Sequence, residues 1–140
     1  MGEPDFYTTF EHTADLGIEV RGSSLKELFE NAAKAVFAEM AGKVLEQANK
    51  GPLTVKVSAP NLEELLVRWL DELLYLGETK EMIFTKFEIT NMSEDSIEAR
   101  VWGVDYSEAA PELEIKAVTY HDLKLEKTED GYMARFIADI

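Results

Sequence analysis

Twice in this chain a polar residue opens a stretch in which apolar side chains return at helical spacing, and most of what lies between alternates like a strand. Ser24 is followed by Glu27, and Leu25, Leu28, Phe29, Ala32, Val36, Phe37 and Met40 then recur along one face. A serine so placed accepts from the amide of the glutamate while the glutamate reaches back, satisfying two donors that a helix start leaves unpaired. The spacing predicts a helix over roughly 24–41, stopped by Gly42. Asn61 and Glu64 repeat the device after Pro60, and Leu62, Leu65, Leu66, Trp69, Leu70, Leu73 and Leu74 supply a second apolar face over 62–76, with Gly77 as its expected stop. That face is wide and includes Trp69, which suits a globular core better than a narrow partner seam.

Strand patterns surround the helices. Phe6 to Phe10 and Leu16 to Val20 alternate about a Thr13-Ala14-Asp15 junction, and Leu53, Val55, Val57 and Ala59 alternate after Gly51-Pro52. Residues 83–89 and 97–104 flank a polar turn and read as a hairpin, 106–112 with Pro111 as a loop, and 115–125 and 132–140 as a second hairpin about Glu129-Asp130-Gly131. The order β-β-α-β-α-β-β-β-β predicts a single α+β domain over 1–140, with two amphipathic helices on one face of a largely antiparallel sheet. A chain of 140 residues with 46% hydrophobic content is ample for one core.

Charge narrows the function. Fourteen basic residues against 28 acidic ones give a formal charge of −14, a field that repels phosphate backbones and favours basic surfaces. The Lys and Arg are scattered among acids, so direct nucleic-acid binding is not expected. There is no cysteine, which excludes disulfides and thiolate metal sites, and the two histidines alone are a poor zinc set. The apolar runs fall short of a bilayer span and residues 1–20 lack a signal-peptide layout, so a cytoplasmic chain away from membranes is expected. No glycine-rich phosphate loop, nucleophile elbow or His-x-x-x-His motif occurs, and the chain is not expected to be an enzyme.

Three polar clusters remain. His12-Thr13-Ala14-Asp15 stands near one end, Asp139-Ile140 at the other, and Ile115-Lys116-Ala117-Val118-Thr119-Tyr120-His121 between them. Two carboxylates with the main-chain carboxylate of Ile140 hold enough oxygen for a hard cation if the fold joins the ends. Otherwise Asp15 caps a turn and Asp139 lies frayed in solvent. His12 is a metal ligand, a proton relay or a structural hydrogen-bonded group, and Lys116 either snorkels or neutralises a carboxylate. Alternation would put Thr119 and His121 on one strand face and Tyr120 on the other.

Taken in order, Phe10 to Ile18, Ser24 to Ala33, Glu64 to Leu74, Ile115 to His121 and the Asp139-Ile140 ending resemble the archease family over essentially the whole chain. That resemblance implies a small non-enzymatic protein that activates the RtcB-type tRNA-splicing RNA ligase, promoting its guanylylation and turnover, with tRNA engaged only through the ligase. It implies a metal site on Asp15, Asp139 and Ile140, with His12, Lys116, Thr119 and His121 as neighbours or partner contacts. The cation would be calcium first, with magnesium or manganese as alternatives, since all accept carboxylate oxygens. Two other functions compete: a general chaperone for RNA-processing enzymes such as a tRNA methyltransferase, and a metal-dependent hydrolase using Asp15, His12 and Asp139.

Overall fold

Both cap residues, Ser24 and Asn61, do what their spacing demands. The computed structural model describes residues 5–12 and 15–140, and of 11 and 12 only the main chain. Ser24 Oγ accepts from the Glu27 amide at 3.1 Å, and Glu27 Oε1 accepts from the Ser23 amide at 2.8 Å. They open α1 (Leu25–Ala41), which closes on Gly42 at φ 81°. Asn61 Oδ1 accepts from the Glu64 amide at 2.9 Å at the head of α2 (Leu62–Lys80). Gly77 does not end this helix, which continues to Lys80 and stops at Glu81, whose φ is 54°. The glycine serves packing instead: a Cβ there would stand 3.0 Å from the Met82 carbonyl and 3.3 Å from the Phe37 ring.

The strands are β1 (Tyr7–His12), β2 (Asp15–Gly22), β3 (Lys50–Ser58), β4 (Met82–Met92), β5 (Ser96–Asp105), β6 (Ala117–Thr128) and β7 (Gly131–Asp139). A short α3 (Tyr106–Ala109) occupies part of the stretch expected as loop. The α+β class and the antiparallel pairing hold, and the strands divide between two sheets, β1-β2-β7-β6 and β3-β5-β4. Both helices bridge the sheets, α1 packing on β2 and β4 and α2 on β6 and β3. Their apolar faces therefore merge with both sheets into one core, in which Phe29, Phe37, Leu66 and Trp69 meet Ile18, Phe84, Val101 and Phe136. Trp69 Nε1–H donates to the Phe29 carbonyl at 2.9 Å, joining the two helices at their buried faces. Among the described residues no helix is long and apolar enough to cross a membrane.

Alternation decides what the four-stranded sheet shows to solvent. Ile18 and Val20 of β2 and Ala134, Phe136 and Ala138 of β7 are buried toward the helices. The intervening residues, Asp15, Gly17 and Glu19 on β2 and Arg135, Ile137 and Asp139 on β7, face the other way.

Candidate metal centre

Strand register brings the two ends of the sequence together. β2 pairs antiparallel with β7 through Leu16 and Ala138, so one further step sets Asp15 opposite Asp139. On the far side of β7, Asp139 pairs with Ala117, and its carbonyl accepts from the Lys116 amide at 2.8 Å. On the far side of β2, the main chain of His12 pairs with Asp15. His12, Asp15, Asp139 and Ala117 thus form one cross-strand row at one end of the outward face. Asp15 is half-buried, Asp139 is exposed, and Ile140 follows it at 40% exposure.

The next row has a different character. Phe10, Gly17, Ile137 and Thr119 line up across the four strands. The Phe10 ring lies over Gly17 so closely that a Cβ there would overlap it, which is why glycine stands in mid-strand. The Arg135 guanidinium stacks 4.2 Å from the Phe10 centroid, and its Nε lies 3.5 Å from Glu19 Oε1. Ile137 is only 1% exposed although it lies outside the main core cluster. The carboxylate row therefore borders a small dry patch, where an ion is screened less than on an open surface.

β6 is fixed from the opposite side by a residue that sequence analysis did not single out. Asp71 of α2 accepts from the Val118 amide at 2.7 Å, next to the Ala117–Asp139 pair. Burial pushes the Asp71 carboxyl above the ordinary range, and the Val118 amide offsets this only in part. Its signal was its place on the helix, since it stands four residues after Val67 and three before Leu74, both buried.

The remaining candidates are arranged less simply. Lys116 is exposed, and among the described residues its ammonium makes no ion pair. Thr119 lies in the second row, and its Oγ1 accepts from the His121 amide at 3.3 Å. His121 does not share a strand face with Thr119 by simple alternation. The register jumps from Thr119 opposite Ile137 to Lys124 opposite Arg135, so four residues of β6, 120–123, face the single residue 136 of β7. Asp122 at φ 53° turns this bulge, which carries Tyr120 outward at 54% exposure and sets His121 Nε2 3.3 Å from Asp122 Oδ2. The side chain of His12, with Thr13 and Ala14, lies outside the described residues.

Chemically the row offers hard oxygen donors. Among the described residues no cluster of three or more His, Cys, Asp or Glu has metal-holding geometry, and the acidic side chains of the row are those of Asp15 and Asp139. That set suits calcium, magnesium or manganese completed by main-chain oxygen and water, and does not suit a zinc site.

A model of the Archease protein family (MTH1598/TM1083) matches residues 7–140. The chain is similar to the protein archease of Methanosarcina acetivorans, 46% identical over 142 residues covering 96% of this chain and 95% of that one. It is similar to that of Pyrococcus furiosus at 36% over 137 residues, covering 94% and 96%. The solution structure of Methanobacterium thermoautotrophicum protein 1598 shares the fold with a TM-score of 0.69 at 29% identity, over 96% of this chain and 98% of that one. The crystal structure of an archease, possible chaperone, from Thermotoga maritima shares it with a TM-score of 0.65 at 22% identity, over 100% and 98%.

Proposed function

Because the chain belongs to the archease family, we propose that it is a non-enzymatic protein cofactor of an RtcB-type tRNA-splicing RNA ligase in the cytoplasm, acting through a divalent cation held by Asp15, Asp139 and Ile140. It promotes guanylylation of the ligase and repeated turnover, and meets tRNA only through that partner. The observation that carries this function is the β2–β7 register, which sets Asp15 opposite Asp139 on the outward face. When bound, the cation supplies positive charge and coordination positions for oxygen. The chain's own residues do the rest. Asp15 and Asp139 hold the charge at an exposed end of the sheet, the Phe10–Ile137 patch limits water beside it, and Asp71 keeps β6 in place against Asp139. The net charge of −14 draws the chain toward a basic ligase surface and speeds the encounter.

Two measurements test this together, calcium titration of the chain and guanylylation of the ligase with Asp15→Asn and Asp139→Asn. Each substitution keeps the shape and removes a charge, so calcium affinity should fall at least about tenfold and stimulation with it. Full stimulation by both Asn variants would reject the metal-based activator.

A general chaperone for RNA-processing enzymes is the second reading, favoured by exposed aromatic surface at Tyr75 (62%) and Tyr120 (54%). It expects Tyr75→Ser and Tyr120→Ser, rather than the aspartate variants, to abolish the effect.

A further inference from the structure

The edge of a β-sheet carries a row of main-chain donors and acceptors that templates another strand, and folds generally block it. Among the described residues the two sheets have four edges, and three are blocked. On β6, Asp71 takes the Val118 amide. On β4, Glu30 of α1 takes the Ile89 amide at 2.9 Å. On β3, Pro52 removes a donor and Arg68 Nη1–H donates to the Ser58 carbonyl at 2.9 Å.

On β1, no such device meets the main chain of Thr9 or Glu11 among the described residues. The Arg21 amide donates to the Phe6 carbonyl at 3.0 Å, which fixes the parity of the ladder. Counting by two, Thr8, Phe10 and His12 turn their main-chain groups toward β2, while Thr9 and Glu11 turn theirs off the sheet. The strand, Tyr-Thr-Thr-Phe-Glu-His, contains no proline, lysine or glycine to discourage pairing. Its last residue lies opposite Asp15, so a strand added there runs alongside the carboxylate row.

Charge selects the occupant. Beside β1, Glu39 of α1 accepts from the Tyr7 hydroxyl at 2.7 Å and Asp5 is exposed, while Lys34 lies 5.5 Å from the Phe6 ring and Arg135 4.2 Å from the Phe10 ring; the sign of the field is set by the chain as a whole, with its net charge of −14. Two such chains repel, whereas an extended segment bearing Lys or Arg is attracted. We infer that β1 is a docking edge for an extended basic segment of a protein partner, which adds to the β1-β2-β7-β6 sheet as a fifth strand reaching the Asp15–Asp139 row. This rests on the reading of the chain as an activator that works by contact with an RtcB-type ligase. Main-chain bonds give the segment its affinity, and the net negative charge of the whole chain gives it its sign.

Amide hydrogen exchange of the whole chain, alone and with the ligase, tests the inference without any substitution. The Thr9 and Glu11 amides should exchange rapidly in the free chain and slow in the complex. Thr9→Pro removes one outward donor and no bond to β2, a place where an edge strand tolerates proline. It should weaken ligase binding about tenfold and leave calcium affinity unchanged. If the ligase binds and is stimulated while the Thr9 amide exchanges as in the free chain, the docking edge is wrong and the activator function stands. If the ligase does not bind at all, both fall. Protection of Thr9 in the free chain that grows with concentration would assign the edge to a second copy and overturn the inference.

Discussion

Replacing Asp71 by alanine removes the acceptor of the Val118 amide and leaves that donor against α2 with nothing to bond. A hydrogen bond to a charged acceptor contributes about 1.5–3 kcal/mol, and an orphaned buried donor costs about 1–3 kcal/mol, so a loss near 2 kcal/mol is expected. For a domain of this size that is roughly 6–8 °C in melting temperature. Asparagine keeps an oxygen in place but carries no charge to desolvate. Burial is the larger influence on this carboxyl and raises its pKa from the ordinary 3.8. The folded state therefore holds the proton more tightly than the unfolded chain, and stability falls as pH rises through the interval between the ordinary and the raised pKa. Asp71→Asn lacks that slope and should equal or exceed the parent above the interval. Circular-dichroism melts of the three proteins from pH 4 to 8 decide the matter. Equal destabilisation by Ala and Asn at neutral pH would show that the charge, not the acceptor, holds β6, and the reasoning would fail.

Gly17→Ala should destabilise by about 1–3 kcal/mol, because its Cβ meets the Phe10 ring, and most of that cost should vanish in a Phe10→Ala background. Additive urea-denaturation energies would contradict the contact. Trp69→Phe should cost about 2–4 kcal/mol through lost volume and the lost bond to the Phe29 carbonyl. A melting temperature within about 1 °C of the parent would show that the indole does not join the helices as described.

The sequence spoke most clearly where structure is local. Ser24 with Glu27 and Asn61 with Glu64 marked helix starts to the residue, because a cap satisfies its own backbone within four positions. Gly77 misled, since a glycine inside a helix for close packing looks like one that ends it. The division of the strands into two sheets left no local trace, because each helix is buried by both. Asp15 and Asp139 could be seen as strand-end carboxylates, but their adjacency depends on β2 pairing with β7 across more than a hundred residues. The β6 bulge was invisible for a different reason: its left-handed residue is Asp122, and a lone aspartate within a strand pattern does not advertise a turn as a glycine does. Asp71 was legible in principle, as an acid on an apolar stripe.

The bulge divides β6 into two separately anchored halves. Fraying that starts at the Glu129-Asp130 tip has continuous pairing to unzip only as far as Lys124, where the ladder is interrupted before Thr119. Only the β6 side of the hairpin can open in this way, because β7 stays paired with β2 from Tyr132 to Ala138, and the base that carries Asp139 keeps its own pairing with Ala117.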